Sequence, residues 1–301
     1  MTLRVPIALI TGCSSGIGKH LALTFASRGV TVLATARRVE SLRDLTSQYE
    51  NIEALPLELG DMGSMERLRD EVVKRTGGYI DFLVNNAGTH YAATAIDLDV
   101  EEAMKLFTVN VFAVMRLCQL FVPLLRKAPH GRIVQVGSVT RDVPVVWQGA
   151  YNASKAALSQ YTKTLRLELQ PFGISVIEVV TGFVRTNILH HGLYAPEDSL
   201  YLPIKSTMER IKYEGNANGM MADAYARSVV SKLMQGSTGP EIWEGKLAWY
   251  LRFIVACCPA SFMVCENSRA SATSHQIFAQ NWMLFRYYQL YRLSGSRHVT
   301  H

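Results

Sequence analysis

The chain has 301 residues, of which 49% are hydrophobic and 19% are charged. This composition excludes a disordered chain, and the length suits one large α/β domain or one domain with an appendage. The net charge is +6, but no run of Lys and Arg is typical of a nucleic-acid surface, so DNA and RNA are not expected partners. The five cysteines are an odd number without metal-site spacing, so we expect free thiols, no metal ion and an intracellular setting.

The first predicted strand, residues 5–10, leads directly into a glycine-rich loop and an amphipathic helix. The loop reads Thr-Gly-Cys-Ser-Ser-Gly-Ile-Gly over residues 11–18. Glycines let a ligand approach the backbone and a helix N-terminus attracts phosphate, so this strand–loop–helix unit predicts a pyrophosphate cradle. The residues that we expect to form it are Ile10, Gly12, Ser15, Gly16, Ile17 and Gly18.

The same loop also matches the Gly-x-Ser-x-Gly pattern of a hydrolase nucleophile, through residues 12–16. A hydrolase of that kind needs an acid and a histidine later in the chain, and no later histidine stands in a recognisable context. The dinucleotide loop is therefore the preferred interpretation. A serine ester hydrolase that acts through Ser14 is the alternative from another class.

The second predicted strand, residues 30–35, ends at Ala36, Arg37 and Arg38. An acidic residue at this place would accept hydrogen bonds from the ribose 2′-hydroxyl of NAD, whereas an arginine accommodates the 2′-phosphate of NADP. Because Ala36 leaves the acidic position empty and two arginines follow it, the sequence predicts NADP(H) as the cofactor.

Strands and helices continue to alternate along the chain. Parallel strands joined in this way predict a doubly wound α/β fold, with a mostly parallel sheet covered on both faces. Ligands bind at the carboxyl ends of such strands, and Asn86 and Gly88 directly follow the fourth one. The later predicted strands cover 55–59, 80–84, 133–136 and 174–180, and the helices between them cover 61–74, about 100–125 and about 151–170.

A tyrosine and a lysine four residues apart, Tyr151 and Lys155, share one face of a predicted helix. A free phenol has a pKa of about 10, and a nearby cation favours the phenolate and lowers that pKa, so that a tyrosine can exchange a proton with a substrate oxygen. Ser138 follows the fifth strand and has a hydroxyl for the same oxygen. Such a pair alone is common on protein surfaces, but behind a dinucleotide cradle it predicts a catalytic site.

These motifs together resemble the short-chain dehydrogenase/reductase family over roughly residues 4–245. The glycine loop, the Asn-Asn-Ala-Gly segment and a serine thirteen residues before Tyr-x-x-x-Lys occur in the family's order. The resemblance implies that Tyr151 is the acid/base, that Lys155 lowers its pKa and holds the nicotinamide ribose, and that Ser138 orients the carbonyl. It also implies that Asn110 anchors a water molecule of a proton relay.

The resemblance extends to the rest of the cofactor site. It implies that Asn86 and Gly88 flank the adenosine ribose. It also implies that Val184 and Thr186 belong to the loop that grips the nicotinamide carboxamide and the pyrophosphate.

Two positions depart from the family's usual residues. Glu58, which precedes Leu59, stands where the family usually has an aspartate that contacts the adenine amine. Thr181 stands where it usually has a proline. We expect Glu58 and Leu59 to line the adenine side of the site with an altered contact, and the nicotinamide loop to take a different path.

Residues 11–18 and 34–37 resemble 17β-hydroxysteroid and retinol dehydrogenases. Thr181-Gly182, residues 221–226 and the apolar stretch that begins at Trp249 resemble more closely the fungal NADPH-dependent 1-acyldihydroxyacetone-phosphate reductases, a group that also contains reductases of secondary metabolism. The resemblance implies hydride transfer from NADPH to a lipophilic ketone while Tyr151 protonates its oxygen. The substrate is then an acyl-dihydroxyacetone phosphate or, as the alternative, a polyketide or terpenoid intermediate. An acyl-dihydroxyacetone phosphate predicts a basic subsite formed by Lys205 and Lys212, whereas a polyketide or terpenoid intermediate predicts an apolar lid.

We divide the chain into a catalytic domain, 1–246, which includes a substrate lid at 187–219, and an extension, 247–301. The extension carries five arginines against one glutamate, with an apolar run and then a segment of aromatic residues and arginines. It predicts monotopic membrane contact or, with equal weight, packing on the domain or a homodimer interface; a full transmembrane helix is third. Membrane contact predicts a location on the cytosolic face of the endoplasmic reticulum or a lipid droplet, and its absence predicts the cytoplasm.

Overall fold

The computed structural model describes residues 4–188, 192–235 and 239–257. Its strands are β1 (Ile7–Ile10), β2 (Thr31–Ala36), β3 (Ile52–Pro56), β4 (Phe82–Asn85), β5 (Arg132–Val136), β6 (Ser175–Thr181), β7 (Val184–Arg185), β8 (Met220–Met221) and β9 (Glu241–Glu244). Its α-helices are α1 (Gly16–Ser27), α2 (Arg43–Gln48), α3 (Met62–Thr76), α4 (Val100–Phe107), α5 (Ala113–Leu125), α6 (Gly149–Leu169), α7 (Lys205–Ala217), α8 (Ala222–Met234) and α9 (Ala248–Cys257).

Within the described residues, seven strands form one parallel sheet in the order β3-β2-β1-β4-β5-β6-β9. The strand order reverses between β1 and β4, and the carboxyl ends of these two strands border the crevice where sheets of this kind bind ligands. Strands β7 and β8 form a separate parallel pair. The predicted doubly wound α/β fold with a mostly parallel sheet is confirmed.

The sheet is buried on both faces, because its central strands are runs of apolar residues. All of β1 is buried, and so is β2 beyond its first residue. On one face α1 and α8 pack around Phe25 and Tyr225, and on the other α3 and α5 pack around Met65 and Phe121. Full burial of such a side chain contributes about 1.5–3 kcal/mol, so the two layers hold the strand ends, and the site on them, in place.

Strand β3 begins earlier than predicted, at Ile52 instead of residue 55, and ends at Pro56. Its pairing with β2 explains the shift, because Val32 lies opposite Ile52 and Ala36 lies opposite Pro56. Leu59 belongs to the loop that follows, where it is buried in the α3 layer. The apolar residues of 55–59 are therefore partly the end of a strand and partly a loop that packs into the core.

The predicted helix from about 100 to 125 is confirmed as one continuous run that consists of α4, a π-helical turn (Thr108–Phe112) and α5. Val100–Leu125 is long and apolar enough to cross a membrane by length and composition. However, 56% of its most apolar window is buried inside the protein, as expected of a core helix. Its π-helical turn contains Asn110, and such turns often occur at functional sites.

The predicted lid, 187–219, contains helix α7 (Lys205–Ala217), which was not predicted from the sequence. Ile204, Met208 and Ile211 pack with Trp147 in an apolar cluster, so the lid rests on the loop that precedes α6. His190 and His191 lie outside the described residues.

The extension begins as part of the domain. Ala248 and Leu251 of α9 are buried against Val139, Val143 and Val180. The boundary that we placed after residue 246 therefore falls before a helix that completes the core. The remainder of the extension, 258–301, with its aromatic and arginine segment, lies outside the described residues.

Candidate active site

The glycine-rich loop between β1 and α1 forms a cradle at the carboxyl edge of the sheet. Gly12 has a φ of +73°, and a Cβ there would lie 2.8 Å from Cα of Ala87; a Cβ on Gly18 would lie 2.2 Å from the carbonyl oxygen of Gly12. Ser15 precedes α1 without forming a side-chain cap, so the first amides of that helix remain for an anionic group. The cradle thus fits the pyrophosphate of a dinucleotide.

Asn86 ties this loop to the end of β4. Its Nδ2 donates to the carbonyl oxygens of Thr11 at 2.8 Å and Gly12 at 3.3 Å. In return, Oγ1 of Thr11 accepts from the amides of Asn86 and Ala87 at 3.0 and 2.9 Å. These hydrogen bonds fix the cradle against the Asn-Asn-Ala-Gly segment, so Asn86 also has a structural role that the sequence did not indicate.

Ser138 and Tyr151 lie together on the wall of the cavity that the cradle opens into. Oγ of Ser138 accepts hydrogen bonds from the amide and the hydroxyl of Thr140 at 3.2 and 3.0 Å, which leaves its own hydrogen to donate toward Tyr151 or a ligand. Burial raises the pKa of Tyr151 to about 12, and its hydrogen bond with Ser138 acts in the opposite direction. At neutral pH, Tyr151 therefore carries a proton that it can donate.

Lys155 lies one turn beyond Tyr151 on α6, as the spacing predicted. Its Nζ donates to the carbonyl oxygen of Val136 at 2.9 Å and lies 5.8 Å from the centroid of the Tyr151 ring. Burial lowers the pKa of Lys155 to about 8, while the charge of Glu178 acts to raise it. In the protein without cofactor, burial raises the pKa of Tyr151 and the ammonium of Lys155 donates to Val136, so a lowering of the Tyr151 pKa by Lys155 stays a prediction for the cofactor complex.

Asn110 lies behind the cavity wall and is almost completely buried. Its Nδ2 donates to the carbonyl oxygen of Thr89 at 3.0 Å and to Oγ of Ser154 at 3.1 Å, and its Oδ1 accepts from the amide of Thr89 at 2.9 Å. A Cβ on Gly88 would lie 3.3 Å from this Oδ1 and 3.8 Å from Nζ of Lys155. The structure therefore brings Asn110 and Lys155 to the same side of the site, around Gly88.

Most of the predicted cofactor residues line one cavity of about 920 Å³. Arg37 lines this cavity, whereas Arg38 is exposed and lies outside it. The carbonyl oxygen of Arg38 accepts a hydrogen bond from Oγ of Ser41 at 2.6 Å. Ile10 lies within the buried part of β1, where its carbonyl oxygen accepts from the hydroxyl of Thr35 at 3.2 Å. The predicted residues on the wall are Gly12, Ser15, Gly16, Ile17, Gly18, Arg37, Glu58, Leu59, Asn86, Gly88, Ser138, Tyr151, Lys155, Val184 and Thr186.

Three further residues at the site were not identified from the sequence. Thr140 orients the hydroxyl of Ser138, as described above. The Nδ2 of Asn216, on α7, donates to the carbonyl oxygen of Thr186 at 2.7 Å and so links the lid to the nicotinamide loop. His90 packs against Tyr151, with ring centroids 4.9 Å apart. Thr140 and His90 each lie two residues after a recognised motif, which is the only signal that the sequence contains for them.

A buried cluster of charges lies beneath the loop that carries Ser138. Arg141 contacts Glu178, Asp142 at 2.8 Å and Glu241 at 2.8 Å, and Glu178 also accepts from Oγ of Ser159 at 2.9 Å. Burial raises the pKa of Glu178, and the charge of Arg141 opposes the rise. The second oxygen of Glu178 lies under Gly137, where a Cβ would approach it to 2.4 Å. The cluster thus anchors the loop between β5 and α6 from below.

The two lid lysines do not line the described cavity. Lys212 is buried; burial lowers its pKa to about 8, and the charge of Glu209 acts to raise it. Neither lysine therefore contributes to the described cavity the basic subsite that an acyl-dihydroxyacetone phosphate would predict. Apart from Lys155, the lysine on the wall is Lys105, which pairs with Glu102 at 2.6 Å.

Among the residues that the structure describes, no group of three or more His, Cys, Asp or Glu side chains is placed to hold a metal ion. Cys13 and Cys118 are buried free thiols, and burial raises the pKa of each to about 12. Both are thus thiols, not thiolates, at neutral pH.

Known proteins are similar to this chain in sequence and in fold. The chain is 38% identical over 257 residues to the short-chain dehydrogenase virD of Hypocrea virens, and the matched region covers 84% of this chain and 88% of that protein. It is 44% identical over 204 residues to an NADPH-dependent 1-acyldihydroxyacetone phosphate reductase of Schizosaccharomyces pombe, which covers 65% of this chain and 68% of that protein.

A crystal structure of a short-chain dehydrogenase from Streptomyces avermitilis superimposes with a TM-score of 0.73 at 30% identity, covering 83% of this chain and 92% of that one. The family model described as short chain dehydrogenase matches residues 6–193. This match spans the glycine cradle and Ser138, Tyr151 and Lys155. The chain therefore belongs to the short-chain dehydrogenase family of oxidoreductases, which act on alcohol and carbonyl groups with a nicotinamide cofactor.

Proposed function

We propose that this protein is an NADPH-dependent carbonyl reductase that acts on a lipophilic ketone. The observation that carries the proposal is that Ser138, Tyr151 and Lys155 share one cavity with a cradle that fits a pyrophosphate. When bound, the nicotinamide cofactor supplies the hydride. The protein has to bind the ketone, orient its oxygen and deliver a proton to that oxygen.

Tyr151 is the proton donor in this proposal. Burial raises its pKa to about 12, so it holds its proton at neutral pH and suits reduction, in which the carbonyl oxygen gains a proton. Ser138 donates to the same oxygen, because Thr140 already occupies its acceptor positions. Lys155 and Asn110 lie on the same side of the site, around Gly88; there Lys155 passes a proton back to Tyr151 after each turnover, and Asn110 would hold the water molecule that resupplies it.

The preference for NADPH is attributed to Arg37. This side chain lines the cavity beyond the end of β2, and Ala36 before it provides no carboxylate for a ribose 2′-hydroxyl. The Schizosaccharomyces pombe relative is named as NADPH-dependent. Arg37→Ala should raise the KM for NADPH about tenfold or more, since a charge-assisted hydrogen bond is lost, and should leave the KM for NADH unchanged. Arg38→Ala, outside the cavity, is the matched control; equal effects of both variants would refute the assignment.

Two substrate classes are supported by different observations. The name of the Schizosaccharomyces pombe relative favours an acyl-dihydroxyacetone phosphate. Lys205 and Lys212 lie off the cavity, so they supply no cation for a substrate phosphate there, which favours a ketone without a phosphate, such as a polyketide or terpenoid intermediate. We propose the acyl-dihydroxyacetone phosphate first and the secondary metabolite as the alternative.

The experiment that tests this function is NADPH oxidation by the purified protein against an acyl-dihydroxyacetone phosphate, a steroid ketone, retinal and an aromatic polyketide ketone. Tyr151→Phe is the control, which should bind NADPH and lose turnover. Turnover of the acyl phosphate supports lipid synthesis, and turnover of the polyketide alone supports the alternative. Absence of turnover on the whole panel, with NADPH bound, would refute the proposed substrate class.

The same assay separates two functions from other classes. Ser14 lies in the cradle loop, and a serine hydrolase would show esterase activity that is lost in Ser14→Ala and retained in Tyr151→Phe. A non-catalytic NADPH-binding protein would bind the cofactor without turning over any ketone. Both are disfavoured, because every catalytic position of the reductase site holds the residue that the chemistry requires.

We also propose that α9 makes a monotopic contact with a lipid surface, on the cytosolic face of the endoplasmic reticulum or a lipid droplet. Trp249 and Phe253, four residues apart, are 74% and 57% exposed on the helix side opposite the buried Ala248 and Leu251. Exposed aromatic residues beside an arginine are typical of a membrane interface. Anionic vesicles should co-sediment with the wild type and not with Trp249→Ser/Phe253→Ser.

Leu167→Ser is the control for this contact, because Leu167 is 70% exposed on α6. If both variants bind vesicles like the wild type, the membrane contact is refuted. If instead Trp249→Ser/Phe253→Ser converts a dimer to a monomer in light scattering, then α9 is an interface between two copies of this chain.

A further inference from the structure

Thr181 and Tyr225 form a hydrogen bond at the start of the nicotinamide loop, residues 181–186. Oγ1 of Thr181 lies 2.7 Å from the hydroxyl oxygen of Tyr225. Tyr225 is completely buried, whereas Thr181 lines the cavity. Oγ1 of Thr181 also donates to the carbonyl oxygen of Val179 at 3.3 Å, so the hydrogen between the two hydroxyls comes from Tyr225. The pair therefore connects the core of the protein to the cavity wall.

The strand pattern and the topology explain why these two side chains meet. Side chains alternate between the two faces of a strand, and Ile177 and Val179 of β6 pack in the layer that contains α8. Thr181, two positions further on, faces the same layer. Tyr225 lies in the first turn of α8, and α8 directly follows β8, which pairs with β7 of the loop. The start of α8 is thus tied to the nicotinamide loop twice, through β8 and through Tyr225.

The position of Thr181 is one where backbone restraint matters. Proline, the family's usual residue there, fixes its own φ at about −65°, whereas a threonine restricts the backbone less. A hydrogen bond to a completely buried tyrosine holds the threonine side chain and thereby the peptide that leads into the loop. The next residue is closely packed, because a Cβ on Gly182 would lie 2.5 Å from the carbonyl oxygen of Lys246. Little space is therefore left for a second path of the loop beside a fixed Thr181.

We propose that Thr181 and Tyr225 are positioning residues, whose hydrogen bond sets the path of the loop that would hold the nicotinamide for hydride transfer. The side-chain hydrogen bond supplies the restraint that a proline would otherwise supply. Neither residue acts on the reacting atoms directly. The inference rests on the proposed reductase function, and it gives a role to residues 221–226, which do not line the described cavity.

The test separates the positioning role from the contribution of the pair to stability. Tyr225→Phe and Thr181→Val each remove one hydroxyl, and Thr181→Ser keeps it. Thr181→Val leaves the hydroxyl of Tyr225 without this partner in the core, which lowers stability, whereas the double variant Thr181→Val/Tyr225→Phe removes both hydroxyls. Tyr161→Phe is the matched control, because it removes a tyrosine hydroxyl that bonds to Cys118 in the opposite layer.

Hydrogen exchange of the protein without cofactor is the first measurement. The amides of Gly182 and Phe183 donate to the carbonyl oxygens of Glu244 and Lys246 at 2.8 and 3.0 Å. Their exchange rates therefore report how often the loop leaves this position. NADPH binding by fluorescence titration and urea unfolding complete the set for each variant.

We expect the two amides to exchange about fivefold faster in Tyr225→Phe, Thr181→Val and the double variant, and at the wild-type rate in Thr181→Ser and Tyr161→Phe. NADPH binding should weaken about fivefold in the same three variants. The double variant should recover stability to urea relative to Thr181→Val but should not recover the slow exchange. With a ketone that the wild type reduces, the three variants should show a larger isotope effect from NADPH deuterated at the transferred hydrogen, because a misplaced nicotinamide slows hydride transfer.

Wild-type exchange and wild-type NADPH affinity in the double variant would overturn the proposal and leave the pair as core packing only. An equal increase of exchange in Tyr161→Phe would also overturn it, because the effect would then be a general loss of stability. A wild type that binds NADPH but reduces no ketone of the panel refutes the proposed function instead. The exchange rates then still decide whether the pair fixes the loop.

Discussion

Arg141→Met tests whether the buried charges beneath the Ser138 loop act as one unit. The side chain of Arg141 is 5% exposed and that of Glu178 is completely buried. Removing one partner of a buried pair costs about 3–5 kcal/mol, because the other charge is left without compensation. We therefore expect Arg141→Met to lower the free energy of unfolding by about that amount at neutral pH.

The loss should depend on pH in a definite direction. Burial raises the pKa of Glu178 above its ordinary value of 4.5, and Arg141 opposes the rise, so the substitution raises this pKa further. When folding raises the pKa of a carboxyl, the protonated form of that carboxyl stabilises the folded state. This stabilisation is complete below the pKa in the unfolded chain, and it is lost as the pH rises through the pKa in the folded protein. Below the folded pKa of Glu178 in the wild type both proteins lose stability in parallel, so the deficit of Arg141→Met should grow, by up to about 1.4 kcal/mol per pH unit, only between that pKa and its higher value in the variant.

Urea unfolding of the wild type and Arg141→Met between about pH 5 and pH 8 measures this deficit. The double variant with Glu178→Gln should be more stable than Arg141→Met alone, because the uncompensated charge is gone. Glu241→Gln is the matched control: its partly exposed carboxylate should cost about 1 kcal/mol or less. A deficit that does not change with pH, or a double variant no more stable than Arg141→Met, would refute the reasoning.

Three other substitutions test the cradle and the residues beside Tyr151. Gly18→Ala should weaken NADPH binding in fluorescence titrations, because the added Cβ would collide with Gly12. Gly149→Ala is the control and should bind NADPH normally, because its Cβ meets nothing within 4 Å. Tight NADPH binding by Gly18→Ala would contradict the assignment of this loop as the cofactor cradle. Lys155→Met should be inactive, but at pH 7 its free energy of unfolding in urea should be higher than that of the wild type by up to about 3 kcal/mol. The reason is that burial lowers the pKa of Lys155 from 10.5 to about 8, so a charged Lys155 destabilises the folded protein at pH 7. The difference should vanish as the pH rises from 8 to 10.5, and a variant less stable than the wild type at pH 7 would contradict this explanation. Thr140→Val should lower kcat about threefold to tenfold without changing the KM for NADPH; an unchanged kcat would exclude the orienting role.

The parts of the site that follow from short stretches of chain could be predicted from the sequence. Gly12 and Gly18 stand in a strand–loop–helix unit, whose geometry is local. Tyr151 and Lys155 share a helix face because of their spacing alone. The parallel sheet then brings the Asn86 segment to the same edge, since the carboxyl ends of parallel strands meet there.

Contacts between distant elements could not be predicted in this way. Glu178 appears as one polar residue in an apolar strand, and only the tertiary fold places it under Gly137 and against Arg141. Asn216 bonds to the nicotinamide loop across thirty positions of chain. Lys212 looks like a surface lysine in the sequence, but it is buried beside Glu209.

The protonation states of Tyr151 and Lys155 could not be predicted from the sequence either. The spacing of Tyr151 and Lys155 predicted their proximity correctly, but the pKa of each depends on burial and on a third group. Val136 binds the ammonium at 2.9 Å, and burial makes the phenol a weaker acid. A protonated Tyr151 is ready to donate to a carbonyl oxygen, whereas oxidation of an alcohol would require it to lose that proton first. A protonated Tyr151 is therefore the form with which a turnover of the proposed reduction begins, and this form follows from burial and not from spacing.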